Sequence, residues 1–386
     1  MPPFQMLMAI VGVTATALAA GYAVVALTAV LVWHARKAAT IPRVLPPVTV
    51  LKPLCGAEPG LYEHLRSFCL QDYPDYQIVF GMRDPADPAL AVVRRLAEEF
   101  PQLPIEIVVN PQQHGSNCKI SNLINMAARA RHDVLVMADS DISVGPGYLA
   151  TVTASLQHPR HGLVTCLYRG VPTASIWSRL GAMYINEWYV PSVLLAHLFG
   201  FRGYAFGQTL CLRRETLQAI GGLPAIADHL ADDNRLGELV RGLGLRIVLS
   251  PYMVEAQHHE PCLNSLARHE LRWMRTTRVL RPRSSCFMFF SFSLPLAALG
   301  VLLAAGTPAT AAWAWTLFGV TAAARVALHF SQRPGSGVSL LADAWLLPLR
   351  DLLTCLVWCW SFVSYRVSWR GVEFDVAADG VMRRLS

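Results

Sequence analysis

Charge is what this chain has least of. Only 15% of its 386 residues are Asp, Glu, Lys or Arg, against 53% hydrophobic, which puts it toward the membrane end of the compositional range. No charged side chain occurs across residues 5–33, "QMLMAIVGVTATALAAGYAVVALTAVLVW", and a bilayer core needs only about 20 helical residues. The basic n-region and short h-region of a cleavable signal are missing too, and "HARK" follows at once, so the run reads as an anchor. CxxC pairs of the zinc-site type are absent. The nine cysteines, Cys55, Cys69, Cys118, Cys166, Cys211, Cys262, Cys286, Cys355 and Cys359, form an odd, scattered set that reads as free thiols in a reducing compartment. There is no internal repeat and no low-complexity segment beyond Ala-rich apolar runs.

What is present is organised by the apolar runs. Arg36, Lys37 and Arg43 follow the anchor, which by the positive-inside rule places the next domain in the cytoplasm and the N-terminus outside. A second apolar block begins near Cys286 and reads as two helices joined at Thr307-Pro308. The last stretch, 338–365, is broken by Asp343, Arg350 and Asp351; central charges cost about 2.5 to 3.5 kcal/mol each on insertion scales, so it spans, re-enters or lies at the interface. The net charge of +7 is concentrated in "RHELRWMRTTRVLRPR", directly before membrane, where anionic headgroups explain it better than nucleic acid. The expected organisation is an anchor at 1–34, a soluble domain at 35–260, a basic interfacial helix at 261–284 and a C-terminal membrane region at 285–386. Ala, Arg and Pro richness gives the chain a bacterial look, hence a multi-pass inner-membrane protein.

Between the membrane segments, apolar strands alternate with amphipathic helices. "VTVLKPL", "YQIVFGM", "IEIVVN" and "VLVMADSD" read as strands, and "EPGLYEHLRSFCLQ", "ALAVVRRLAEEF" and "NLINMAARA" as helices. This alternation predicts an α/β fold with a mostly parallel sheet flanked by helices. Ligands of such sheets sit beyond the strands' carboxyl ends, and Lys52, Asp84 and Asp139 each fall there.

Several groups of residues bear chemistry, each with a plainer reading beside it. Asp139 and Asp141, two carboxylates at i and i+2, suit Mg²⁺ or Mn²⁺, which take one or two carboxylates plus phosphate oxygens; a solvated turn looks the same. Asp232 and Asp233 open a helix, where capping and the dipole alone account for aspartates. "HELRW" offers Arg272 for phosphate and Trp273 for a flat ligand, or a basic interfacial helix. Lys119 and Asn122 stand within reach of a diphosphate, or are solvated. The stretch 180–207, aromatic but interrupted by Asn186, Glu187, Pro191 and His197, is either a membrane-facing lip or ordinary packing.

Taken in order, these motifs resemble the family 2 glycosyltransferases, most closely ceramide glucosyltransferase and the bacterial hopanoid-biosynthesis enzymes. "VTVLKPLCGAEPGLYEHLRSFCLQDYPDYQIVFGMRDPADPA", "NCKISNL", "GQTLCLRRETLQAIGG", "LADDNRLGELV" and the late "VSWR" follow the family's order over nearly the whole chain. The resemblance implies a GT-A fold with transmembrane helices at both ends. It implies that Asp84 contacts the uridine of a UDP-sugar, that Asp139 and Asp141 hold the divalent ion, and that Asp233 is the general base. Arg272 and Trp273 match the end of the family's (Q/R)-x-x-R-W signature for diphosphate and acceptor; His269 stands where Gln or Arg is usual, and Asp232 replaces a Glu.

The implied activity is inverting sugar transfer to a lipid hydroxyl: a hopanoid polyol with UDP-N-acetylglucosamine, or ceramide with UDP-glucose. A metal and Arg272 would offset the charge of leaving UDP, and Asp233 would take the acceptor's proton. Competing readings are a polysaccharide synthase, disfavoured by too few membrane segments for a polymer channel, and a non-catalytic scaffold, disfavoured by the retained acids. A nucleotidyltransferase would not need Arg-Trp at a membrane. The sequence does not indicate an oligomeric state.

Overall fold

The computed structural model describes residues 3–36, 40–332, 339–364, 367–369, 372–377 and 380–384; Lys37 and Arg370 of "VSWR" lie outside them. The chain forms two compact units, a helical one of Met1–Arg36, Gly170–Gly200 and His258–Glu373, and a sheet unit of Lys37–Arg169, Phe201–Gln257 and Phe374–Ser386.

The main strands of the sheet unit are β1 Val48–Pro53, β2 Tyr76–Met82, β3 Ile105–Val109, β4 Val134–Met137, β5 Ile142–Ser143, β6 His161–Pro172, β7 Leu210–Arg213 and β8 Arg246–His258, three short strands after residue 366 forming a separate sheet. The main strands form one eight-stranded sheet in the order β3-β2-β1-β4-β7-β6-β8-β5. All seven residues of β2 are buried, the near-continuous apolar run of a strand covered on both faces. The pairs β1–β2, β1–β4 and β2–β3 are parallel, as the alternation predicts. The pairs β4–β7, β6–β7 and β5–β8 are antiparallel, so the sheet is mixed. One polar pair is built into this core: Thr49 Oγ1 donates to Gln77 Oε1 at 3.0 Å, and Gln77 Nε2 donates to the Arg129 carbonyl at 3.0 Å. Because the first four strands run one way, their carboxyl ends bring Lys52, Asp84 and Asp139 to one edge.

In the helical unit, Pro3–His34 and Pro308–Ser331 are long and apolar enough to cross a membrane. The first packs on the helix Ser293–Leu303 with backbones nearly touching: a Cβ on Gly12 would meet the Gly300 carbonyl oxygen at 2.5 Å. Small residues permit this approach, which favours helix pairing in lipid. The block after Cys286 is not one straight helix, because Pro282–Ser291 and Ser293–Leu303 meet at 68°. Pro295 explains the bend: it has no amide hydrogen to give the Ser291 carbonyl, and its ring clashes with that group.

The charges that interrupt the last apolar stretch are internal. Arg350 on the helix Leu347–Ser361 forms a bidentate pair with Glu270 at 2.7 and 2.8 Å. Asp351 accepts from Arg325 at 2.7 and 2.9 Å, and Asp343 pairs with Arg179. Glu187, on the π-helical turn Ile185–Tyr189, lies 2.7 Å from His329 Nδ1 and 3.4 Å from Arg325. Paired in this way, these groups face protein.

Candidate active site

The sheet edge gathers carboxylates and lysines from four parts of the chain. β4 ends at Met137 and delivers Asp139 and Asp141. The helix Cys118–Ala127, capped by Asn117, whose side chain accepts from the Lys119 and Ile120 amides, delivers Lys119. The Lys119 ammonium lies 2.5 Å from Asp139 Oδ1 and 3.9 Å from Asp232 Oδ2. The helix Asp232–Gly242 opens with the acidic pair, whose carboxylates each accept from the next residue's amide. Asp233 Oδ1 accepts from the Asn234 amide at 2.7 Å, and Oδ2 from the Gly207 amide at 2.9 Å. Gly207 lies at the centre: a Cβ there would meet Lys119 Nζ at 3.2 Å, Asp139 Oδ2 at 3.5 Å and Asp233 Oδ2 at 3.6 Å. Sequence reasoning missed this glycine, whose signal was its place just before β7 in "GQTLCLRR".

Lys52, at the end of β1, is fully buried. Its ammonium lies 3.9 Å from the centre of the Phe68 ring and donates to the Asp139 backbone carbonyl. Asn122 is buried and donates to the Gly81 carbonyl at 2.8 Å, which ties it to the end of β2. Asp84 is exposed and caps its own turn through the Ala86 amide at 2.8 Å. Neighbouring Asp87 holds the loop after β1, accepting from the Gly56 amide at 3.0 Å.

Burial and the charges of the cluster shift Asp233, Asp141 and Lys52 toward neutral pH and Lys119 away from it. Burial and then Asp232 push the Asp233 carboxyl up to about 7, against the pull of Lys119. Burial, Asp139 and Glu58 push Asp141 up to about 6, against Lys52. Burial brings Lys52 down to about 7, opposed by Asp141 and Asp139. For Lys119 burial also opposes the charge, but Asp139, Asp232 and Asp233 together outweigh it and raise the pKa. The edge thus holds one firm cation, Lys119, and two carboxyls, Asp141 and Asp233, poised to lose or gain a proton, as acid–base chemistry requires. Two side-chain oxygens at this edge, Asp141 Oδ1 and Asn122 Oδ1, are buried without a hydrogen-bond partner, and a carboxylate oxygen left so suits a cation. Among the described residues no three His, Cys, Asp or Glu side chains converge as a closed metal site.

The HxxRW residues belong to the helical unit, on the helix Leu263–Leu280. Trp273 stacks on Tyr184 with centroids 5.6 Å apart and planes at 25°. Arg272 is half-buried on the same helix. Next to His269, Glu270 turns inward to Arg350.

A parallel half-sheet continued by antiparallel strands, with Asp-x-Asp after β4 and a second acidic pair opening a later helix, is the architecture of a GT-A-type glycosyltransferase. A mannosyltransferase from Pyrobaculum calidifontis, solved in complex with GDP-Man and Mn²⁺, shares this fold with a TM-score of 0.54 at 19% identity, over 93% of this chain and 98% of that one. The chain belongs to glycosyl transferase family 21, whose model matches residues 11–382. Among curated relatives, ceramide glucosyltransferase 1 of Caenorhabditis elegans is 24% identical over 242 residues, 62% of this chain and 51% of that one. Ceramide glucosyltransferase 3 of the same animal is 23% identical over 261 residues, 65% and 57%. The matches therefore span little more than half the length of these relatives.

Proposed function

We propose that this protein transfers a sugar from a UDP-sugar to the hydroxyl of a membrane lipid, with inversion at the sugar carbon. The observation that carries the proposal is the cluster around Gly207, where Asp139, Asp232, Asp233 and Lys119 converge, with Asp141, which interacts electrostatically with Asp139, beside it. Family membership and the ceramide glucosyltransferase relatives support a lipid acceptor; within that class we take the acceptor to be ceramide or a hopanoid polyol, with UDP-glucose or UDP-N-acetylglucosamine as donor. The apolar helices Pro3–His34 and Pro308–Ser331 support a multi-pass placement that holds the enzyme where such a hydroxyl lies.

Asp139 and Asp141 would hold Mg²⁺ or Mn²⁺, and the orphaned Asp141 Oδ1 together with two adjoining carboxylates fits a hard cation. Bound there, the ion would neutralise charge on the leaving diphosphate. Lys119 adds a fixed positive charge, and Asp84 is assigned to the nucleoside. Lys52 fixes the Asp139 backbone from below, and Asn122 fixes the end of β2. Asp233, oriented by two backbone amides and poised near neutrality, takes the acceptor's proton as the hydroxyl attacks. Arg272 and Trp273 are assigned to diphosphate and acceptor by their motif.

Purified protein supplied with a panel of UDP-sugars, ceramide, hopanoid polyols and Mg²⁺ or Mn²⁺ should yield a β-linked glycolipid, and chelation should stop it. No glycolipid from any pair, or full activity in Asp233→Asn, would refute the proposal.

A further inference from the structure

Residues 227–230 lie between the short 3₁₀ turn Leu223–Ile226 and the helix Asp232–Gly242 and belong to neither, so their backbone groups need partners from elsewhere. Those partners come from two distant parts of the chain, both within the sheet unit. The first is the loop ahead of the helix Cys118–Ala127. The Asn117 amide donates to the Ala227 carbonyl at 2.8 Å, and Asn117 Nδ2 donates to the His229 carbonyl at 2.9 Å. The Ser116 amide donates to Asp228 Oδ1 at 2.7 Å. The two backbones approach so closely that a Cβ on Gly115 would meet the Ala227 carbonyl oxygen at 2.6 Å. Asn117 also caps the helix that carries Lys119, so one side chain serves both the lysine's helix and the approach to the acidic pair.

The second partner is a hairpin late in the sequence. Phe374, Asp375 and Val376 pair antiparallel with Arg384, Arg383 and Met382, and the Ala377 amide donates to the Val381 carbonyl at 3.0 Å. The other edge of residues 380–382 is spent on 228–230. The Leu230 amide donates to the Gly380 carbonyl at 3.0 Å, the Met382 amide donates to the Asp228 carbonyl at 2.9 Å, and His229 stands opposite Val381. This is antiparallel strand addition within one chain, and Met382, only 2% exposed, packs it down. Neighbouring carbonyls of an extended chain point to opposite edges, which is why the Asp228 and His229 oxygens serve different partners. From Leu230 only two residues lead to Asp232, a reach of at most about 7 Å. Asp232 Oδ2 then stands 3.9 Å from Lys119 Nζ, and Asp233 Oδ2 takes the Gly207 amide.

We propose that Gly380–Met382 and Asn117 are positioning elements that grip residues 227–230 from two edges and so fix Asp232 and Asp233 relative to Lys119. This rests on the glycosyltransferase reading and deepens it: a strand that carries no catalytic group sets how well Asp233 is placed to take the acceptor's proton. Asn117 ties the lysine and the acidic pair to one segment, and the late strand stops that segment from swinging away.

The test uses the full chain in nanodiscs. Hydrogen exchange, read by mass spectrometry on peptides covering 226–236 without any ligand, reports the grip itself. Met382→Pro removes the amide hydrogen that Asp228 accepts and leaves the chain extended. Asn117→Ser keeps a capping oxygen but loses the amide group that reaches His229. Each should speed exchange across 227–233 about ten-fold, the worth of roughly one hydrogen bond, and leave β1–β4 as in wild type. Each should also lower kcat at least about ten-fold through misplacement of the base, with the affinity for UDP and Mn²⁺ and the unfolding temperature unchanged. Met382→Leu, which keeps the amide, should match wild type in both readouts. The inference is overturned if Met382→Pro leaves exchange across 227–233 unchanged, if exchange rises while kcat holds, or if UDP affinity and unfolding temperature fall together with kcat. A wild type that makes no glycolipid would count against the glycosyltransferase reading, and the exchange comparison would still decide the grip.

Discussion

Replacing Asp233 by Asn should stabilise the protein in mildly alkaline solution while stopping turnover. Folding raises the Asp233 carboxyl from 3.8 to about 7, chiefly through burial and then Asp232. The native state therefore holds this proton more tightly than the unfolded chain does. The resulting penalty on native stability is absent below the unfolded value, grows as pH rises from about 4 to about 7, and is complete above that. A shift of about 3 units at about 1.4 kcal/mol each sets the full penalty near about 4 kcal/mol. Asn cannot ionise and escapes the penalty. It has one acceptor oxygen where the carboxylate serves both the Asn234 and Gly207 amides, so it forfeits one hydrogen bond, about 1 kcal/mol. The variant should gain about 3 kcal/mol at pH 8 and about nothing at pH 4.5. Thermal unfolding in detergent at the two pH values reads this directly. Asp233→Asn that is less stable at both, or equally stabilised at both, would show that the carboxylate is not strained and that its proton affinity has been misjudged.

Gly207→Ala should fold, because the atom its methyl would press first, at 3.2 Å, is the end of the flexible Lys119 side chain. Yet the methyl would occupy the centre of the cluster, and turnover should fall at least about 100-fold, as misplacement by an ångström commonly costs; unchanged kinetics would remove the cluster from the chemistry. Arg350→Met strands the buried Glu270 carboxylate and should destabilise by about 3 to 5 kcal/mol, whereas Arg350→Met with Glu270→Met should recover most of that loss. Thermal unfolding in detergent checks both, and a double variant as unstable as the single one would refute the pairing argument.

The parallel half of the sheet was legible because each strand is a buried apolar run closed by a turn, a local signal. The antiparallel half was not: β6 and β8 are long strands, His161–Pro172 and Arg246–His258, whose pattern alternates irregularly and whose partners are distant in sequence. Asp139 and Asp141 stood out because they close a strand. Gly207 did not, since its importance is spatial: Lys119, Asp139 and Asp233 approach it from three separate segments. Likewise Asp343, Arg350 and Asp351 look like interruptions in a membrane segment until Arg179, Glu270 and Arg325 are seen beside them. His269 was noticed as a departure from a motif, but only the fold supplies its partner Glu260, 2.7 Å from Nδ1.

The helical unit is assembled from three stretches of chain, and Gly12 meets Gly300 across most of the polypeptide. During synthesis the first apolar helix is made long before its partner leaves the ribosome. It must wait for that partner, its small-residue face uncovered by protein, while the sheet unit is translated. The order of manufacture thus lets the sheet unit fold as an insert in the chain before the helical unit closes. Interrupted translation should leave a lone apolar helix followed by a folded sheet unit, with the small-residue face at Gly12 exposed.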